Sequence, residues 1–306
     1  MADINRTTNS MALPSDISSE IMQKTQQESA IMRLARRIEL PGRGVTIPVI
    51  TGDPTAAWVA ETGVKPVSNG TPGTKLMQAF KIAVIETFSK EFVRDIPALY
   101  DALVERLPLA LAGLFDSTII GATQAPSQTN FDTFASCTAQ SILNANNGTY
   151  LGLVAADADV AAHGGVMNGL ALGAQARALL LTATDTTNRP LFLASANDGV
   201  VDKVLGVPAY FNKNIYKAGT AAAGQTAGTP AIVGVAGDWT QALYGTVNGV
   251  EIAVTDTASL TVGSGNNATT VNLWQQNMIG VRAEIEVGFR ADTSCFNLLT
   301  GAIPTT

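Results

Sequence analysis

An apolar repeat between about Ile96 and Ile119 is the feature that most restricts how this chain can fold. The repeat places a large apolar residue at every third or fourth position, at Ile96, Leu99, Leu103, Leu107, Leu111 and Leu114. This spacing predicts one long amphipathic helix, about 36 Å in length at 1.5 Å per residue. Pro108 removes one backbone hydrogen bond, so we expect it to kink or split the helix.

A second amphipathic helix is predicted from Ser15 to Ile38. Its apolar side chains follow the helical spacing i, i+3, i+4 and i+7 at Ile31, Leu34, Ala35 and Ile38. Arg33, Arg36 and Arg37 fall in its last turns. Two interpretations are open: an arm that docks on an acidic neighbouring surface, or cations that compensate the helix dipole.

Two alternating segments, beginning at Val45 and Phe80, predict strands on either side of a long polar stretch. Such an excursion is unusual inside a compact domain, so we expect an extended hairpin that reaches outward. Trp58, in the run Ala-Ala-Trp-Val-Ala-Glu that ends at Glu61, is a large ring on this arm. It is either an anchor buried in another subunit or a ring folded back on its own strands.

A second compact unit is predicted from about Phe134 to Ala268, in which Ala-rich helices alternate with short strands. The predicted strands are Leu151–Ala155, Val204–Phe211, Ile232–Gly237, Gln241–Val247 and Val250–Thr255. Val281–Phe289 then alternates as a strand that returns to the first unit. The expected fold class is α+β.

Composition and motifs disfavour catalysis. The net charge of -6 excludes a basic nucleic-acid binder of the usual electrostatic kind. His163 is the only histidine, and the two cysteines, Cys137 and Cys295, have no CxxC partner. Asp157 and Asp159 are interpreted as acids in a solvated polar loop. We expect no enzyme activity, no metal site, no cofactor and no membrane anchor.

Charged residues make up only 14% of the chain, whereas about 25% is ordinary for soluble domains. Low charge is tolerable where a subunit buries several sides against copies of itself.

The order of several short motifs resembles the HK97-fold major capsid proteins of tailed bacteriophages. Early matches are Ile47-Pro48, Ala57-Trp58-Val59-Ala60-Glu61, Phe80-Lys81, Phe88 to Val93 and Leu114-Phe115-Asp116 to Gly121. Later matches are Arg189-Pro190-Leu191, Leu205-Gly206-Val207-Pro208, Gly237-Asp238-Trp239 and Asn277-Met278 through Val281-Arg282 to Phe296. Together they extend along almost the whole chain.

The resemblance implies an N-terminal arm over residues 1–44 and an E-loop hairpin over 45–84. It implies a P-domain formed by 85–133 and 273–306, with a spine helix at about 96–119, and an inserted A-domain over 134–272. The subunit interface would then include residues of the E-loop and arm: Trp58, Glu61, Lys65, Lys75, Arg33, Arg36 and Arg37.

Some relatives in this family join subunits by an isopeptide bond between an E-loop lysine and an asparagine, aided by a buried glutamate. Here Lys65 or Lys75 would supply the amine, Asn277 the amide and Glu284 the base. Glu284 has an alternative role in strand packing or in an ion pair with Arg282.

The implied function is self-assembly into hexamers and pentamers of an icosahedral phage head that encloses double-stranded DNA. The implied partners are further copies of the chain, a scaffolding protein, a portal, a decoration protein, and packaged DNA contacted non-specifically. The protein would assemble in the host cytoplasm and reside in the virion. Two alternatives are an encapsulin-like nanocompartment shell and a monomeric acidic hydrolase.

Overall fold

The computed structural model describes residues 25, 29–42, 44–52, 58–59, 64–65, 71–89, 96–143, 148–185, 187, 189–192, 203–222, 227–247, 249–262 and 269–302. Its described helices are Ala30–Leu34 (α1), Ile96–Ile119 (α2), Gly148–Ala162 (α3) and Ala174–Thr182 (α4). Within these residues, no helix combines the length and the apolar character needed to cross a membrane. The mixed content confirms the α+β class.

The first sheet is organised on one long strand, Met278–Ala291 (β14). It pairs antiparallel with Phe80–Ser89 (β4), Ala242–Thr246 (β10) and Glu251–Thr255 (β11). Arg36–Glu39 (β1) adds in parallel to β10. Because β14 contacts three strands, it holds together parts of the chain that are far apart in sequence.

The second sheet has six strands: Thr138–Ser141 (β5), Gly169–Leu172 (β6), Lys203–Val204 (β7), Val207–Phe211 (β8), Ile232–Gly237 (β9) and Phe296–Thr300 (β15). Their order across the sheet is β5-β15-β9-β6-β8-β7. Both parallel and antiparallel pairs occur. Every residue of β6, β9 and β15 is buried, as expected for strands covered on both faces.

Two hairpins lie outside these sheets. Val45–Gly52 (β2) pairs with Thr71–Met77 (β3), and Ser259–Val262 (β12) pairs with Thr269–Asn272 (β13).

An aromatic core joins α2 to both sheets. Phe134 stacks on Phe296 of β15 at 4.5 Å between ring centroids, and it meets the edge of Phe289 of β14 at 5.6 Å. Phe115 of α2 also meets Phe289 edge-on, at 6.2 Å. Such pairs add to the burial energy of the rings themselves. The two sheets and the long helix therefore share one core.

The prediction for the N-terminal segment is wrong in its described part. Helix α1 ends at Leu34, and Arg36, Arg37 and Ile38 lie in strand β1 rather than in a helix. The reason is the parallel pairing of β1 with β10, a contact between residues about two hundred positions apart. Residues 15–24 and 26–28 of the predicted helix lie outside the described residues.

Two other local predictions also differ from the structure. Leu151–Ala155 is part of helix α3 instead of a strand, so Asp157 and Asp159 lie on that helix and not in a polar loop. The strand beginning at Phe80 pairs with β14 and not with β2, so the hairpin itself ends at Met77.

The predictions for the long helix and for several strands are confirmed. Helix α2 has the predicted bounds and is continuous through Pro108, so the proline does not split it. Strand β9 has the predicted bounds, and β10, β11 and β14 begin and end within three residues of theirs. Sheet membership does not follow the predicted domain boundaries, because β10 and β11 join β14 while β15 joins β9.

Candidate interface site

The β2–β3 hairpin carries an exposed apolar tip. Beyond its last described pair, Gly52 with Thr71, the ring of Trp58 is fully exposed at 105% of its reference area. Val59 and Val64 are exposed as well, and Lys65 is at the surface. Glu61 lies outside the described residues. A tryptophan buries 150–250 Å² when it is packed, so this ring offers a large contact surface that its own chain does not cover.

The root of the hairpin is fixed by a buried arginine on β14. The Arg290 guanidinium donates through Nε and Nη2 to the Leu76 carbonyl oxygen, at 2.8 and 2.5 Å, and through Nη2 to the Thr129 carbonyl oxygen at 2.6 Å. Its Nη1 donates to Asp132 Oδ1 at 2.8 Å. A buried cation that has a carboxylate and several carbonyl partners is costly to disturb, so these bonds hold the end of β3 against the body of the subunit.

Lys75, a predicted interface residue, contacts its own subunit at this root. Its Nζ donates to the Ala291 carbonyl oxygen at 3.3 Å and lies 3.9 Å from Asp132 Oδ2. Asp132 Oδ2 also accepts from the Ala291 backbone N–H at 3.1 Å. Sequence reasoning missed Arg290 and Asp132; the available signal was an arginine that directly follows the apolar end of a strand, Val287 to Phe289.

The arm is attached to α2 by a buried carboxyl group. Asp116 Oδ1 accepts from the Ser29 hydroxyl at 2.5 Å, and Oδ2 accepts from the Ala30 backbone N–H at 3.2 Å and from Asn212 Nδ2 at 3.5 Å. Burial raises the pKa of Asp116 to about 7, although the hydrogen bonds from Ser29 and Ala30 oppose this shift. Asp116 thus connects the start of α1 with the long helix.

The three arm arginines have different environments. Arg33 lies in the last turn of α1, where a cation interacts favourably with the helix dipole, and its guanidinium carbon is 4.4 Å from the ring centroid of Tyr210. Arg36 and Arg37 are exposed on β1. The dipole interpretation therefore applies to Arg33 alone.

Glu284 forms ion pairs on the first sheet. Its carboxylate lies 3.2 Å from Arg282 Nη2 and 3.3 Å from Lys81 Nζ, and Lys81 also lies 3.6 Å from Glu286. Asn277 adopts a left-handed conformation, with φ of 53°, in the turn before β14. The arrangement around Glu284 matches the ion-pair alternative raised from the sequence.

The two cysteine thiols are poorly suited to act as nucleophiles. Burial raises the pKa of the Cys137 thiol to about 12 and also raises the pKa of the Cys295 thiol, which disfavours the reactive thiolate. The exposed His163 ring lies 2.8 Å from the Asp159 carbonyl oxygen. In the described part of the chain, no cluster of His, Cys, Asp and Glu side chains could hold a metal ion.

Comparison with known proteins gives a consistent result. The Phage capsid family matches residues 9–293. The probable major capsid protein gp17 of Mycobacterium phage L5 is 29% identical over 299 residues, covering 90% of this chain and 85% of the relative. A solved structure from Mycobacterium phage Cain shares the fold with a TM-score of 0.69 and 20% identity, covering 91% of this chain and 92% of that one. The capsid of a native GTA particle, computed with C5 symmetry, gives a TM-score of 0.59 at 13% identity and covers 99% of this chain and 95% of that one.

Proposed function

Because this chain belongs to the phage capsid family, we propose that it is a major capsid protein whose copies form the hexamers and pentamers of an icosahedral head around double-stranded DNA. The observation that carries the proposal is the exposed tip of the β2–β3 hairpin, where the Trp58 ring has no cover from its own chain. A firmly rooted hairpin with an apolar tip is suited to clasp a neighbour.

The parts of the fold take the following roles in this proposal. The E-loop corresponds to residues 45–84, which include the β2–β3 hairpin, and the P-domain to residues 85–133 and 273–306, with α2 as the spine helix and β14 as the long strand. The inserted A-domain corresponds to residues 134–272 and contains α3 and α4, and α1 with β1 belongs to the N-terminal arm. Trp58, Glu61 and Lys65 act at the subunit interface, with Arg33, Arg36 and Arg37 on the arm side.

The partners follow from the same role. Copies of the chain assemble in the host cytoplasm with a scaffolding protein and a portal, and the finished shell contacts DNA without sequence preference. A net charge of -6 suits a container that must release its DNA, because a strongly basic lining would hold it. The named phage relatives favour this role over an encapsulin-like compartment, and the exposed ring disfavours a self-contained hydrolase.

Sedimentation velocity and negative-stain electron microscopy of the purified chain test the proposal. We expect species of at least five copies, with rings or closed particles in the images. A stable monomer of 31.8 kDa at every concentration would contradict it.

The isopeptide bond between Lys65 or Lys75 and Asn277, aided by Glu284, stays a separate prediction. A glutamate that removes a proton from an ammonium group works best in an apolar pocket, whereas Glu284 lies beside two cations. SDS gel electrophoresis of boiled mature particles tests for this bond. A ladder of bands would support the bond, and a single band near 31.8 kDa would exclude it.

A further inference from the structure

Two neighbouring cavities lie where α1 and β1 meet β8. The first, of about 330 Å³, is lined by α1, by Leu109 of α2 and by the end of β8. The second, of about 390 Å³, is lined by α1, β1, β8 and the turn at Trp239. Arg33 and Tyr210 belong to both linings. The two cavities therefore form one groove, which we call the arm groove.

The lining of the arm groove contains three cations and no acidic residue. The cations are Arg33, Arg36 and Lys213, and all three are exposed. In the described part of the chain, none of them forms an ion pair with a carboxylate, whereas Lys81 and Arg290 each have an acidic partner. Positive charge that is concentrated in a cleft attracts anions, even though the chain as a whole carries a net charge of -6.

Two acids lie behind the wall of the groove. Asp116 is buried and accepts a hydrogen bond from Asn212, and burial raises its pKa to about 7. Asp238 is also buried and accepts hydrogen bonds from Asn168 and Thr240. Both carboxyl groups thus bind residues of the lining and are covered from solvent. An anion that enters the groove meets the three cations first.

Arg33 is held in place between the two cavities. Its guanidinium carbon lies 4.4 Å from the centroid of the Tyr210 ring, and the face of an aromatic ring attracts a cation. The start of the helix that carries Arg33 is attached to α2 by the hydrogen bond from Ser29 to Asp116. A guanidinium that stacks by its face keeps the N–H groups at its edge available for a ligand.

Phosphate groups fit this arrangement better than a protein surface does. A guanidinium group can donate two parallel hydrogen bonds to the oxygens of one phosphate. Arginine, lysine and tyrosine side chains are common donors to the phosphates of DNA. By contrast, protein interfaces depend on large apolar or aromatic anchors, and none of the large apolar side chains in the lining is exposed.

We propose that the arm groove binds the phosphate backbone of the enclosed double-stranded DNA, an inference that rests on the proposed shell function and assigns a site to its DNA contact. The three cations allow at most three phosphate contacts in each subunit. A single groove therefore binds weakly, and many grooves in one shell act together on the same DNA molecule. Weak contacts of this kind hold the DNA in place without preventing its release.

The salt dependence of DNA binding tests the proposal. The unassembled chain is titrated into a short fluorescent DNA duplex at several salt concentrations, and the logarithm of the binding constant is plotted against the logarithm of the salt concentration. Each phosphate contact contributes about -0.9 to the slope of this plot. The triple variant Arg33→Gln, Arg36→Gln and Lys213→Gln should make the slope less negative by about 2 to 3 and should weaken binding at least tenfold at low salt.

Two further variants separate the loss of this site from the loss of charge or of folding. The matched control carries Arg177→Gln, Arg189→Gln and Lys203→Gln, which remove the same charge at exposed positions outside the lining. It should keep most of the slope. The double variant Arg33→Lys and Arg36→Lys retains the positive charges and should keep the slope as well.

An unchanged slope in the groove variant, or an equal loss in the groove and control variants, would overturn the DNA site and leave the shell function intact. So would a groove variant that loses binding to a polyglutamate peptide but not to DNA, because the groove would then suit an acidic protein partner. Failure of the groove variant alone to form particles would place the groove against a neighbouring subunit and would also overturn the DNA site. Failure of the unmodified chain to form particles would overturn the shell function, and with it the identity of DNA as the ligand.

Discussion

Among the described carboxyl groups, Asp116 is the one whose burial most clearly makes the stability of the fold depend on pH. Its pKa in the folded chain, about 7, is above its ordinary value of 3.8. The groups facing it include the Ser29 hydroxyl, the backbone N–H groups of Ala30 and Ile31, and the Asn212 amide, all of which are uncharged donors. Between these two pKa values the folded state binds more protons than the unfolded state, so stability falls as the pH rises.

We therefore predict that the unfolding free energy of the subunit decreases between pH 4 and pH 7, with a contribution from Asp116 of at most about 1.4 kcal/mol per pH unit. Asp116→Asn should remove this contribution, because an amide does not titrate. Urea unfolding at several pH values measures both slopes. Equal slopes for the two proteins would show that Asp116 does not titrate in this range.

The buried Arg290 side chain should also contribute measurably to stability. Arg290→Met keeps much of the side-chain volume but removes the donor to Asp132 Oδ1 and to the Leu76 and Thr129 carbonyl oxygens. Breaking a buried pair in this way costs about 3–5 kcal/mol. The control is Arg189→Met, which removes an exposed pair with Asp185 and should cost far less, because exposed ion pairs contribute little to stability. Similar losses for the two variants by chemical denaturation would contradict the role of Arg290 at the hairpin root.

Of the residues of the candidate site, the sequence indicated the exposed Trp58 but not the buried pairs that hold the hairpin and the N-terminal segment in place. Trp58 stood out as a large ring on a polar excursion, and it is exposed in the structure. Arg290 with Asp132, and Asp116 with Ser29, escaped prediction because each pair joins residues 158 or 87 positions apart. Local patterns carry no information about such partners.

The same limit applies to secondary-structure elements. Helix α2 was predictable because its own repeat determines it, whereas β1 was mistaken for helix because its strand conformation depends on β10. In α3, apolar residues occur on both the buried and the exposed faces, as Leu153 and Leu151 show. A short apolar run without one clear period does not distinguish a helix from a strand.

Helix α3 packs closely on β5 through Gly152, which gives a prediction at this scale. A Cβ atom at Gly152 would overlap the Ser141 carbonyl oxygen, a backbone atom that has little freedom to move. Gly152→Ala should therefore lower the unfolding free energy by about 1–3 kcal/mol, despite the higher helix propensity of alanine. The control is Gly42→Ala, whose Cβ meets nothing within 4 Å. A gain in the melting temperature of Gly152→Ala would contradict the close contact.

In the molecule as a whole, the two sheets are interwoven and share one of the three hydrophobic clusters of the described residues. Consecutive strands β14 and β15 enter different sheets, and Phe289 and Phe296 of these strands meet in the shared aromatic cluster. The hydrogen bonds of Arg290 attach the root of the hairpin to this body. Large apolar side chains are nevertheless exposed at several separate places, among them Trp58, Leu151, Val166 and Trp274. This distribution fits a subunit that is covered on several sides by its neighbours.

A cryo-EM reconstruction of the assembled particle would show whether the β2–β3 hairpin joins two subunits. We expect a shell in which the hairpin of each subunit crosses a subunit boundary, with density for Trp58 against the adjacent copy. A reconstruction in which the hairpin stays on its own subunit, with Trp58 covered by its own strands, would contradict it.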